Sequence, residues 1–456
     1  MPASTTLARA MTLALVVVPG ATWAAQFDYS IFGSVEHSDN ITLSDSNPIS
    51  QNVFIPGFNF NYQQQGSILQ ANVSGTFQDN DYLGHQFANQ TQTELAGQAN
   101  WTVLPKRLDF TVEDYAGVEP VDSLASNAPN NRQQTNVLSL GPTLHLQFGN
   151  VMRAQVELHY LNSYASKVKD FNSSRGMAAF RLYRDLNPTD TLSLNLETQR
   201  VRFNDSTNTT LVDGTDSTIA TPNYTRDEFY ARYTSTLAHF NADVLAGWSK
   251  INFDHARGDS KPLGRVTLGW QFTPHQTLTV TGAYQFSDAA QDMFLQPGQS
   301  VVNILDENPT DFLYNPGGGI STGNLVIDSE VYLERTLEAT YTYHTERFQL
   351  SIAPTYDKLA YLNSSTFNQS TRGGTIEANF HLRPHTSLAA FVNAEHLTYT
   401  SLQRTDKTYR YGVDLGHQWA PHWTWHVSYI RQLRSSNAAG QSYHENEIFF
   451  SVVFKR

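Results

Sequence analysis

Cysteine is missing from all 456 residues, so the chain has neither a disulfide framework nor a thiolate metal site. Positive charge is the scarcer sign, with 30 Lys and Arg against 42 Asp and Glu and a formal charge of -12. That balance disfavours nucleic acid as a partner, because phosphate binding needs a basic face. Long apolar runs are also lacking. Past residue 24 no stretch approaches the roughly 18 apolar residues that a membrane helix needs. The three-to-four-residue apolar spacing of an amphipathic helix is almost absent as well.

What the chain has instead is alternation. Over residues 68–78, Leu69, Ala71, Val73, Gly75 and Phe77 take one face, while Gln70, Asn72, Ser74, Thr76 and Gln78 take the other. Over 277–286, Leu278, Val280, Gly282, Tyr284 and Phe286 oppose Thr277, Thr279, Thr281 and Gln285. Successive strand side chains point to opposite sides, so each such segment has one apolar face and one polar face. The first residues resemble a secretory leader: Arg9, an apolar stretch over 11–18, Pro19-Gly20, then small residues at 22 and 24. The expected division is a signal peptide over 1–24 and one outer-membrane barrel over 25–456. Without Arg9 the mature chain is more acidic still.

Connections alternate short and long. Short turns are predicted at Gln64-Gln65-Gly66, Leu104-Pro105-Lys106, Phe148-Gly149-Asn150, Thr273-Pro274-His275-Gln276, Leu382-Arg383-Pro384-His385 and Ala420-Pro421-His422, among others. Longer polar stretches lie between them at 38–51, 116–134, 163–174, 205–222, 289–328 and 359–371. Bacterial outer-membrane barrels segregate loop lengths in this way, with tight periplasmic turns and longer outer loops. The predicted fold is therefore all-β: a single antiparallel transmembrane barrel of about 20 strands, 18 remaining open, with both termini periplasmic. Leu192, Leu194 and Leu196 share a face that Val201 and Phe203 leave, which predicts a bulge or a ledge beyond the membrane. Trp101, Trp270, Phe272, Trp419, Trp423 and Trp425 sit beside short turns and are expected to form the periplasmic aromatic girdle. Phe450, Val452 and Phe454 alternate close to the C-terminus.

The stretch from Phe27-Asp28-Tyr29-Ser30 through Val35-Glu36-His37-Ser38-Asp39-Asn40-Ile41-Thr42-Leu43-Ser44 resembles the start of the β-barrel porin-2 family. It is similar above all to the outer-membrane barrels encoded with exosortase-linked exopolysaccharide systems. Residues 101–115 and 139–144 (Ser-Leu-Gly-Pro-Thr-Leu) carry the same resemblance. It implies a barrel that lets a new extracellular polysaccharide cross the outer membrane with periplasmic polysaccharide-export proteins. The terminal alternation resembles the signal that barrel-assembly machinery reads, with Lys455-Arg456 after the last aromatic as a departure.

Charges on the polar strand faces are the candidate pore-lining groups. The acidic ones are Asp109, Glu113, Glu157, Glu197, Glu338, Asp357, Glu377, Glu395 and Asp414; the basic ones are Arg181, Arg232, Arg265 and Arg410. Arg or Lys on the lipid face costs about 2–4 kcal/mol at midplane, which argues for assigning them inward. Their acidic excess predicts a neutral or weakly charged cargo, since an anionic polymer calls for fixed cations. The 289–328 stretch either folds into the lumen, with Phe312, Leu313 and Tyr314 on the wall, or stands as a flexible outer loop. No catalytic, cofactor or metal site is expected. His422 and His426 are four apart, about 13 Å on a strand and too far to share a metal. Gly258-Asp259-Ser260 and Gly440-Gln441-Ser442 lack the nucleophile-elbow pattern. The favoured function is polysaccharide export; a diffusion porin for small solutes and a surface adhesin that only displays loops stay open.

Overall fold

The computed structural model describes residues 25–84, 86–204, 208–212, 215–219, 223–254, 256–295 and 326–456. The leader over 1–24 and the residues Phe312, Leu313 and Tyr314 lie outside them. Twenty strands of 13 to 17 residues, from Ala25–Ser38 to Tyr443–Lys455, form one antiparallel sheet in which sequence neighbours pair. The hairpin Asn208–Val212 and Thr215–Ile219 stands apart as a second, two-stranded sheet. The first and last strands close the circle from Ser30↔Lys455 to Ser38↔Glu447, and Tyr29 and Arg456 exchange two backbone hydrogen bonds of 2.9 Å beyond them. Closure removes the sheet edges that lipid cannot hydrogen-bond. The chain is an outer-membrane β-barrel.

Turn chemistry sets the two ends. Gly149, at φ +77, makes the tight return between Arg132–Phe148 and Met152–Ala165. All nine short returns fall at the end where both termini lie, and the ten longer connections share the other end. Residues directly opposite on neighbouring strands share a face. Trp101↔Phe110, Leu194↔Ala231 and Ile376↔Ile352 therefore mark the outside, where Trp101, Phe148, Phe229, Phe272, Leu337 and Trp419 stand exposed to lipid. The inside is a mesh of hydroxyls and amides. Ser34 and Ser451 meet at 2.7 Å, Asn59 donates to Ser30 at 3.0 Å, Thr76 to Asn59 at 2.8 Å and Gln78 to Gln92 at 3.0 Å. With strands ~4.8 Å apart and tilted about 40°, twenty of them enclose a circle of roughly 20 Å backbone radius.

Candidate functional site

The thirteen charged positions occupy the inner face, and most are already engaged there. Arg181 gathers two of the others: it donates to Glu157 at 2.9 and 3.0 Å and to Glu197 at 3.3 Å, and also reaches the Tyr230 hydroxyl at 2.5 Å. Arg232 pairs with Asp243, and Arg265 donates to Gln285 at 2.7 Å, whose amide donates onward to Glu334 at 2.8 Å. Asp109 meets His145 at 2.9 Å, and Glu113 accepts from Gln98 at 3.1 Å. Asp414 accepts from Ser428 at 2.6 Å and faces His426 Nδ1 at 3.0 Å. Arg410 lies over the Phe391 ring, and Thr340 donates to Glu338 at 3.3 Å. Asp357 stands opposite Thr336, Glu377 opposite Ser351 and Glu395 opposite Gly373, all on inward positions.

The outer mouth departs from a regular wall. Strand Asp259–Thr273 pairs with Gln276–Asp288 only as far as Gly264↔Tyr284, so among the described residues 259–263 have no strand neighbour on that side. Beyond that point Gln285–Asp288 stays paired with Val331–Glu334 and turns into the lumen with it. Burial records the turn. Leu333 and Leu337 lie on the same lipid-side face of one strand, yet Leu337 is 53% exposed and Leu333 only 6%. Phe286, Val331 and Leu333, all on that face, pack instead against Val201, Phe203, Tyr224, Ile251 and Phe253 from the inner face of the wall.

A buried ion pair holds the tip there. Arg175 donates to Asp288 at 2.7 and 2.8 Å, each side chain about 2% exposed, and the Tyr224 hydroxyl donates to the same carboxylate. Four strands lie between the two residues, and the five inter-strand steps make a chord of roughly 28 Å in a circular barrel of the radius above. Only an in-bent wall brings them into contact. Arg226 donates to the Phe286 carbonyl at 3.2 Å and to the Gln291 side chain. The helix Ala289–Leu295 follows, and Ala289, Ala290 and Met293 join one buried apolar cluster with Val137, Ala165 and Phe171 from strands further round the barrel and the turn beside them. Tyr332 donates to Asp292 at 2.5 Å, and Ser287 donates to it as well. Burial and the nearby Glu334 hold the Asp292 carboxyl well above the ordinary carboxylate range, and burial lifts Glu330 to about 7. A second inward fold comes from residues 121–131, where Arg434 donates to the carbonyls of Leu124 and Ala125 at 3.4 Å while pairing with Asp406 at 2.6 Å.

The phase change at Val201 and Phe203 is thus not a bulge, and it falls where the strand has risen past the height of an apolar band. Strand Asp190–Phe203 keeps one register throughout, and these side chains face inward because the in-folded tip supplies them an apolar neighbour. Sequence reasoning missed Arg175, Arg226, Asp288, Asp292 and Arg434. One available signal was Asp288, a carboxylate on the lipid-side phase of its strand, which needs a partner that lipid cannot supply. His422 and His426 are not brought together: His422 Nδ1 meets the Lys455 carbonyl at 3.0 Å. Among the described residues no group of three His, Asp or Glu side chains could hold a metal.

No family model matches the chain, and no curated protein matches it in sequence. Solved structures with a similar barrel include the siderophore receptor PirA from Acinetobacter baumannii, at 8% identity and a TM-score of 0.48, covering 94% of this chain and 80% of that one. The FrpB iron transporter from Neisseria meningitidis (F5-1 variant) has 9% identity and a TM-score of 0.47, covering 94% and 82%. The siderophore receptor PirA from Pseudomonas aeruginosa has 10% identity and a TM-score of 0.44, covering 94% and 80%. The likeness is one of barrel architecture.

Proposed function

We propose that this barrel passes a neutral or weakly charged extracellular polysaccharide across the outer membrane, and that the in-folded wall is the closed state of its outer mouth. One observation carries the reading: inner cations are matched by carboxylates at the in-folded mouth, as in Arg175–Asp288 and Arg434–Asp406, and lower in the wall, as in Arg181–Glu157. What remains for a passing chain is amide, hydroxyl and tyrosine surface. Such groups hydrogen-bond sugars without the fixed positive field that an anionic polymer requires. The resemblance over residues 27–44, 101–115 and 139–144 points the same way. In this reading periplasmic polysaccharide-export proteins and synthesis itself supply the drive, barrel-assembly machinery inserts the chain, and no chemistry is performed on the cargo.

Opening would move the tip back into the wall. Continuing the register past Gly264↔Tyr284 sets Leu263 opposite Gln285, Pro262 opposite Phe286 and Lys261 opposite Ser287. Phe286 would then rejoin the lipid-facing side next to Pro262, itself the partner of exposed Trp248.

Deletion of the gene tests the cargo: extracellular polymer should fall while the periplasmic pool rises. Unchanged polymer with lost uptake of a small nutrient would favour the porin reading, which the narrow outer mouth also suits. Lost attachment with normal polymer would favour an adhesin. Strong anion selectivity in planar bilayers would count against a neutral cargo.

A further inference from the structure

Basic side chains stand shoulder to shoulder on the membrane side of the wall. Arg335 is the direct cross-strand partner of Lys358. One strand further on, Arg372 is opposite His396, and His396 is opposite Lys407. All five are exposed and lie in phase with lipid-facing residues of their own strands: Leu337 for Arg335, Ile352 for Lys358, Ile376 for Arg372, Val392 for His396 and Val413 for Lys407.

Like charges directly opposite on one face of a sheet repel. Here no ion pair among the described residues relieves it: none includes Arg335, Lys358, Arg372 or Lys407. The two guanidiniums rest on tyrosine rings instead, Arg335 over Tyr284 at 5.2 Å and Arg372 over Tyr356 at 5.8 Å. That contact orients them and leaves their N–H forks open at the edge.

Their height is informative. The five lie nine to thirteen residues from the short-turn ends of their strands. At ~3.3 Å per residue and a tilt of about 40°, nine residues climb roughly 23 Å, close to the ~25 Å height of an apolar band. The row therefore begins where the acyl chains of the outer leaflet stop and headgroups start. At its Lys407 end it opens into a groove of about 450 Å³ that Tyr409, Arg431, Leu433 and His444 also line, with Asp45 at the rim.

We propose that this face binds the phosphates of a phosphorylated glycolipid of the outer leaflet, with the groove beside Lys407 seating one headgroup. Phosphate accepts the paired N–H bonds of Arg and the ammonium of Lys, and placed between Arg335 and Lys358, or between Arg372 and Lys407, it converts repulsion into attraction. Basic pockets at a membrane surface hold lipid headgroups by this chemistry. The site is independent of the cargo reading.

The test is heat-induced gel-mobility change of the purified full-length barrel in a neutral detergent, with and without added ligand. Lipid A should raise the midpoint for the wild type, whereas dephosphorylated lipid A or inorganic phosphate should not. The variant R335Q/K358Q/R372Q/K407Q should be at least as heat-resistant as wild type without lipid, because four repelling charges are gone, and should lose the lipid A shift. If it fails to fold, K358Q/K407Q serves in its place, removing one charge from each cluster. K250Q, on a distant strand, should keep the full shift. An undiminished lipid A shift in the variant, an equal shift from the dephosphorylated lipid, or an equal shift from inorganic phosphate would each overturn the proposal.

Discussion

The side chain of Gln134 stands in for a peptide group opposite Thr93. Its amide donates to the Thr93 carbonyl at 2.6 Å and to the Gly117 carbonyl at 2.9 Å, and its oxygen accepts from the Thr93 N–H at 3.2 Å. The need arises because Gln90–Leu104 and Leu108–Pro120 pair only up to Leu95↔Ala116. A parting between two strands is stitched there by a glutamine from a third. The parting beside Asp259–Leu263 has no such stitch among the described residues, and the wall bends inward instead.

Replacing Gln134 with Ala should therefore cost about 1–3 kcal/mol, the penalty of leaving the Thr93 N–H and carbonyl without partners. The heat-induced mobility change should occur at a lower temperature. Gln134→Glu should be at least as harmful, since a carboxylate would face the carbonyls of Thr93 and Gly117. An unshifted midpoint in both variants would mean that the strands pair without help.

Arg175→Met strands a buried carboxylate at Asp288. Breaking one side of a buried pair typically costs about 3–5 kcal/mol, here charged to the in-folded state. Single-channel conductance and permeability of cells to a bulky antibiotic should both rise. Adding Asp288→Leu should return both toward wild type, because the uncompensated charge has gone. Equal leakiness of the single and double variants would show that the tip is held by packing alone.

The absence of native cysteine makes a cross-link readable. A pair introduced as Lys261→Cys and Ser287→Cys should form a disulfide only when the tip swings back into the wall. Oxidation should then trap high conductance, which reductant reverses. Failure to cross-link in the Arg175→Met background, where the open state should be most populated, would refute the re-pairing.

Closure should weaken as pH rises. Glu330 titrates at about 7 when buried in the closed mouth and at 4.5 when exposed, so the closed state holds its proton more tightly. Between those values closure is favoured as pH falls and is progressively lost as pH climbs to about 7. Asp292 is raised in the same sense by burial and Glu334, and Asp328 by burial and Glu330, with Asp288 and Asp170 adding to it. Conductance should increase from pH 5 toward pH 8, and Glu330→Gln should flatten part of that rise.

Strand count, closure and the segregation of loop lengths were legible because each rests on a local rule: a two-residue phase, a turn residue, a length. The polar phase of Glu157 and Arg181 was legible for the same reason, since each alternates with apolar neighbours on its strand. Which of them meet was not, because Arg181 reaches Tyr230 on a strand 49 residues away. Nor was the bent tip. Phe286 and Leu333 carry the alternation of a lipid-facing strand, and hydrocarbon and a protein interior reward the same side chains.

Among the described residues, 259–263 lack a partner on one side at a height where the bilayer's polar layer can supply one. Where the tip withdraws, the barrel presents a notch edged by Ser260, Pro262 and the Lys261–Asp259 pair rather than a continuous greasy surface. Residues 259–263 lie ten to fourteen residues from the short-turn end of their strand, at headgroup height, where water and headgroups can meet the open peptide groups that acyl chains could not. The opening is thus borne because it sits above the hydrocarbon rather than within it.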